Sequence, residues 1–334
     1  MVSVLVIAVM SATACGPRRG DRPTVWSESQ SGMAAMEATS PWMDYTVVVA
    51  TADGQKLRLR IDTLCSVCQL TSAAAARLHL TLSSRTVLAS LVASGVPEAA
   101  ARRNGGLGRG WALRQRLPGS YVRGLEICGV TLPAVYFVVP SRELPGPTTA
   151  PDLDGFIGMP VLSKVAAAFD YQRQLVRMWF PGHIGPRDLR QSGYVLDDTL
   201  PAHAGPLGLP WIRCQLNGRG TWWFHVRNEE DYSVIPAALA IGAGVPPTGS
   251  GHRAHAHANY SLSVVSHVRV GTRTFRRLPV IVSRRPSDAR LPELDGGFWR
   301  RTGVMILDMP AKTLYLAHNV PVQAAAAPRS RADF

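Results

Sequence analysis

The sequence predicts an all-β fold, mainly strands with short helices, built from one lobe written twice. Three observations carry this. Apolar alternating runs flank Asp-Gly and Asn-Gly pairs, the strongest short-range hairpin signal. Four landmarks recur in the same order in the two halves of the chain. The 46% hydrophobic content of the 334 residues is ordinary for a globular protein and sufficient for a sizeable core.

The elements follow in chain order. Val2 to Ala14 is an apolar run ending in small residues before Cys15. It is shorter than the roughly 20 residues needed to span a bilayer and fits the core of a signal peptide. Ala12-Thr13-Ala14-Cys15 is similar to a bacterial lipoprotein cleavage box, although no positive charge precedes the run and Ala12 stands where Leu is usual. The expectation is an exported protein, a bacterial envelope lipoprotein tethered to the membrane through Cys15; a mis-assigned start codon is the other reading. Residues 16–40 show no period and read as a linker. Residues 45–61 then give a strand, a turn at Asp53-Gly54, and a second strand alternating Leu57, Leu59, Ile61. Residues 211–226 repeat the pattern, with Asn217-Gly218 at the turn. Leu70 follows Asp62 by eight residues and Ile235 follows Arg227 by eight, each before an Ala-rich stretch suited to a short helix. Residues 121–139 form a hairpin turning at Gly129, and residues 262–282 its counterpart at Gly271. Each half closes as strand, Asp turn, strand, at Asp170 and Asp308; the spacing from hairpin Gly to this Asp is 41 and 37 residues. The domains read as residues 1–15 signal-like, 16–40 linker, 41–199 first lobe, 200–320 second and more eroded lobe, and 321–334 a disordered tail.

Over roughly residues 41–318 this unit resembles the retropepsin-like and pepsin-like aspartic peptidases. Ile61-Asp62-Thr63 opens the catalytic motif, Ser66 takes its Ser position, and Phe156-Ile157-Gly158-Met159 matches the hydrophobic-hydrophobic-Gly segment. The resemblance implies a two-lobed acid-protease-like β-barrel fold, internally duplicated, with a cleft between the lobes. It also implies the chemistry. Two carboxylates, one per lobe, share a proton because like charges so close cannot both ionise, and together they activate a water.

The motif is only half kept. Asp62 stands at the first aspartate position, with Thr63 beside it, and Arg227 stands at the second. An Arg stays protonated and cannot serve as a base; facing Asp62, it would form an ion pair and displace the shared proton. Leu64 replaces the motif's glycine and is expected to push the two loops apart or rearrange the turn. Asn228 and Glu229 stand at the second lobe's Thr and Gly positions, and Phe298-Trp299-Arg300 at its hydrophobic-hydrophobic-Gly segment. The resulting expectation is an aspartic-peptidase-like protein with impaired catalysis, whose cleft binds peptide through Ser66, Trp111, Tyr121, Ile157 and Gly158. One alternative is an active endopeptidase in which a carboxylate from Glu229-Glu230-Asp231, or Asp62 of a second chain, completes the pair. Another is an anchored interaction protein with no cleft ligand.

Other constellations are weaker. Cys65-Ser66-Val67-Cys68 has the spacing of a redox pair, but its hairpin-rich surroundings favour two small buried residues. Cys128 and Cys214 fall on predicted strands and read as packed apolar residues. Of His252, His255 and His257, the His-x-His pair 255 and 257 could put two imidazoles on one strand face, yet a polar loop is the simpler reading. Gly-rich residues 104–120 match no phosphate-binding fingerprint and read as a flap over the cleft. Trp222 and Trp223, being adjacent, point to opposite faces, one core and the other exposed or at the lobe interface. No cofactor and no metal is called for. The net charge is +13, from 36 Lys+Arg against 23 Asp+Glu. Only Lys56, Lys164 and Lys312 are lysines, and the arginines are scattered without a basic run. That argues against nucleic acid as a partner and leaves a peptide or protein in the cleft of a monomer.

Overall fold

The computed structural model describes residues 30–36, 47–90, 112–140, 153–182, 184–205, 208–228, 231–245, 260–284 and 292–320. Cys15, Trp111, Glu229, Glu230 and the three histidines at 252, 255 and 257 lie outside them.

Each hairpin turn sits where the sequence put it. Asp53-Gly54 and Asn217-Gly218 both take positive φ at both residues, as a two-residue turn matched to strand twist requires. The first joins β2 (Val47–Ala52) to β3 (Gln55–Ile61), and the second joins β13 (Pro210–Leu216) to β14 (Gly220–Val226). After β3 come β4 (Cys68–Leu70), helix α1 (Ser72–Arg77), and the hairpin arms β5 (Ser83–Ser90) and β6 (Ala112–Ile127). Then follow β7 (Val130–Val138), β8 (Gly155–Ile157), α2 (Met159–Leu162), β9 (Ala166–Asp170) and β10 (Leu175–Phe180). Helix α3 (Pro186–Gln191), β11 (Tyr194–Pro201) and β12 (His203–Ala204) lead into the second copy. Beyond β14 it holds β15 (Ser233–Pro236), α4 (Ala237–Gly242), β16 (Tyr260–Val270), β17 (Arg273–Ser283), β18 (Glu293–Leu294), α5 (Gly296–Thr302), β19 (Val304–Asp308) and β20 (Thr313–Asn319).

The two copies close in the same way. In the first, the order β2-β3-β8-β4-β7-β6 returns to β2 through Ala50↔Ile127 and Thr51↔Glu126. In the second, β13-β14-β18-β15-β17-β16 returns to β13 through Cys214↔Val270 and Leu216↔Val268. Parallel pairs fall at equivalent places, β3 on β8 and β14 on β18, β4 on β7 and β15 on β17. The fold is therefore mainly β, duplicated, with two closed barrels.

A six-stranded sheet, β1-β10-β9-β19-β20-β11, joins the copies and reads the same from either end. Strand β1 (Gln30–Ala35) corrects the linker reading of that stretch. Its own residues are weakly apolar and largely exposed; what makes it a strand is pairing along β10, from Gln30↔Phe180 to Ala35↔Leu175. The central strands β9 and β19 are buried throughout. Ala167, Phe169, Met305 and Leu307 face the barrel core, while Ala166, Ala168, Val304 and Ile306 pack on the other side with Leu189 of α3. Burial on both faces explains their unbroken apolar runs.

Candidate functional site: an unequal pair of loops between the barrels

Asp62 leaves β3 with its N–H bonded to the Ile157 carbonyl at 2.9 Å, and Arg227 leaves β14 with its N–H bonded to the Leu294 carbonyl at 2.9 Å. These matched bonds place Asp62 and Arg227 at equivalent points, as the eight-residue spacing predicts. The loops meet in a reciprocal clasp. Thr63 Oγ1 donates to the Val226 carbonyl at 2.8 Å, and Asn228 Nδ2 donates to the Ile61 carbonyl at 3.0 Å. Asn228 Oδ1 accepts from Thr63 N at 3.2 Å and lies 3.1 Å from the Thr63 hydroxyl, whose single proton is shared with Val226. Both side chains are fully buried, so every one of these groups needs its partner. Asn228 thus performs for the second copy what Thr63 performs for the first.

Two expectations about these loops are corrected. Leu64 does not part them: its backbone N–H donates to Asp62 Oδ1 at 2.8 Å, and its side chain lies against the main core. Arg227 does not face Asp62 as an ion-pair partner. Its guanidinium turns into its own barrel, 3.1 Å from Glu293 and 3.5 Å from Asp295. Asp62 instead takes Arg60, whose Nη2 lies 3.1 Å from Oδ2. Residues 60 and 62 share a face by the period of a strand, a signal available in the sequence.

The hydrophobic-hydrophobic-Gly counterpart is also corrected. Ile157 pairs with Ile61 and Leu294 with Val226, so Glu293-Leu294-Asp295 is the second copy's equivalent of Phe156-Ile157-Gly158. Phe298, Trp299 and Arg300 belong to α5 instead. A Cβ at Gly158 would lie 2.3 Å from the Val67 carbonyl and 2.4 Å from that of Cys65, which is why this position must be glycine in the first copy. In the second copy Asp295 fits there by capping α5, accepting from Gly296 N at 2.7 Å. Trp299 Nε1 donates to the Arg227 carbonyl at 2.7 Å and fixes the loop from behind. Asp231, from the acidic run, pairs with Arg300 at 2.9 Å. Arg227 therefore comes with two buried acids, Glu293 and Asp295, which were not legible because the sequence pattern points to Phe298-Trp299 instead.

Beside this junction a cavity of about 770 Å³ opens. It is bounded by Ser66 to Cys68 of the first loop, Ser84 to Val87 of β5, Tyr136 and Val138 of β7, Pro160 of α2, and Gly208 from the second half. It lies on the Ser66 side of the loop, and Asp62 is not among its walls. Of the predicted cleft residues, Ser66 lines it; Ile157 is buried in the barrel; Gly158 caps α2; Tyr121 is exposed on β6 opposite Tyr136. Arg85 and Tyr136 were not singled out from the sequence.

Cys65, Cys68, Cys128 and Cys214 are all buried. Burial pushes the Cys68 thiol up to about 12, against weaker help from the Gly158 backbone, so it holds its proton near neutrality. Cys128 sits in the β6–β7 turn rather than on a strand, and burial likewise raises it to about 12. Trp222 and Trp223 are both half-buried, not one in and one out.

No family model matches the chain, and no curated protein matches it. Among solved structures it is similar to a retropepsin-like aspartic protease from Rickettsia conorii. The identity is 16% and the TM-score 0.29, over 38% of this chain and 91% of that one. An overlap of that size carries no argument; the architecture stands on the two barrels and the sheet they share.

Proposed function

We propose that the chain is an aspartic-peptidase-like protein that has exchanged hydrolysis for binding an extended peptide beside the inter-barrel junction. One observation carries the reading: the position that should present the second carboxylate holds Arg227, already engaged with Glu293 and Asp295. Among the described residues Asp62 is paired with Arg60 and meets no second carboxylate, the acid–base partner that water activation needs. The binding part rests on β5. It is the last strand of its sheet, and four consecutive residues of it, Ser84 to Val87, line the cavity. Successive side chains alternate faces, so the cavity lies along the strand's edge, where an extended peptide can pair.

The test is hydrolysis of a denatured protein substrate at acid pH by wild type and Asp62→Asn, alongside titration of an unstructured peptide library. The expected result is peptide binding with no cleavage by either form. Cleavage abolished by Asp62→Asn would overturn the reading, and Glu229→Gln and Glu230→Gln would then identify the partner acid.

A further inference from the structure

The charge lining the cavity points to what the peptide carries. Arg85 is the only charged residue among the described residues around it; the rest are Ser66, Ser84 and Thr86, apolar Val67, Val87, Val138 and Pro160, and the remainder uncharged. Its guanidinium carbon lies 5.0 Å from the Tyr121 ring centre and 5.4 Å from that of Tyr136. The two rings meet edge to face, 5.3 Å apart at 68°. One N–H bonds the Tyr121 hydroxyl. The aromatic pair holds the guanidinium in place without neutralising it. Arg60, Arg227 and Arg300 each have a carboxylate, but among the described residues none is paired with Arg85. A guanidinium has five donors in a fixed fork, suited to grip a carboxylate with two of them.

We propose that this cavity is a subsite for an acidic side chain, in which Arg85 takes the carboxylate of a peptide Asp or Glu. The proposal rests on the reading of the cleft as a peptide groove and adds its specificity. The +13 charge of the whole chain acts in the same direction, raising the encounter rate with acidic partners.

The experiment uses the full chain and fluorescent extended peptides from a positional library, read by anisotropy. Each acidic peptide is compared with its Gln and its Lys counterpart. The expected result is a preference of about tenfold for Glu or Asp over Gln at one position, the worth of a charge-assisted hydrogen bond. Arg85→Gln should remove the preference while neutral peptides still bind, and Arg85→Glu should transfer it to Lys. Peptide binding without acid preference, or a preference that survives Arg85→Gln, overturns this proposal and leaves the peptide groove standing. Absence of binding to every peptide overturns both, and tighter binding of a single-stranded oligonucleotide than of any acidic peptide overturns this one. Arg85 is exposed, so unchanged thermal melting of both variants is the expected control for folding.

Discussion

Thr63 and Arg227 hold the junction by different means. Thr63 bonds across to Val226 and Asn228, fully buried. Thr63→Val should therefore lower stability by about 1–3 kcal/mol in urea unfolding, the cost of leaving buried partners short of a donor, while Thr63→Ser should keep most of it. Arg227 has a different logic. Its side chain is 18% exposed, and those of Glu293 and Asp295 are 8% and 0% exposed. Arg227→Leu removes the cation beside two buried acids and should cost about 3–5 kcal/mol. Arg227→Asp alone should be at least as damaging, since it sets a third acid beside them, and should yield no peptidase activity. Removing Glu293 and Asp295 in the same chain should recover stability, as seen in the unfolding midpoint. Arg227 is thus one part of a three-residue arrangement, which is why its position was legible in the sequence and its meaning was not. Spacing from the hairpin located Arg227; only the pairing of β14 with β18 brings Glu293 and Asp295 to it from far along the chain.

At the scale of elements, turns and alternating strands were legible because their cause is local. Positive φ at Asp53-Gly54 and at Asn217-Gly218 marks the two hairpins they close. Strand β1 was not legible, since nothing in Gln30–Ala35 favours a strand until β10 supplies the other half of the ladder. Close crossings are equally non-local. Gly158→Ala should cost about 1–3 kcal/mol or more by forcing β8 away from the Cys65–Val67 backbone, with reduced soluble yield as the first readout. Strand β11 carries an acid-sensitive clamp. At its bulge, Asp198 accepts from Thr272 N at 2.6 Å and from Thr272 Oγ1 at 2.8 Å, tying the β16–β17 turn to the shared sheet. Partial burial pushes its carboxyl up, but the Thr272 and Thr199 bonds and the charge of Arg273 outweigh this and hold it below the usual carboxylate range. A group lowered on folding stabilises above its unfolded value, about 3.9, and loses that contribution as pH falls through the lower folded value. Wild type should therefore lose stability below about pH 4 more steeply than Asp198→Asn, measured as melting temperature against pH.

For the whole molecule, the sheet between the barrels decides whether one copy can stand alone. Strand β9 lies against β19 with Ala168 opposite Ile306, and the pairs on either side are Asp170↔Val304 and Ala166↔Asp308. Equating the strands residue for residue, Ala166 with Val304 and Asp170 with Asp308, turns this register into a two-fold one centred on Ala168. Two first copies could therefore pair β9 with β9 in the same geometry, and Thr63 could clasp the Ile61 carbonyl of a second chain as it now clasps that of Val226. In the full chain both places are filled from within, by β19 and by the Asn228 loop. Ending the chain after Gly193 removes both fillings and leaves a fully buried apolar strand at an open edge, which demands a partner. The truncated protein should be a dimer by light scattering. Ala167→Pro, which removes an N–H on that edge, in phase with the Tyr171 N–H that bonds the Gly303 carbonyl, should abolish the dimer and leave insoluble protein. A folded, monomeric first copy would show that the shared sheet is not what holds the barrels together. The intact chain, with one core cluster running through both barrels, should unfold in a single transition by tryptophan fluorescence and far-ultraviolet circular dichroism alike.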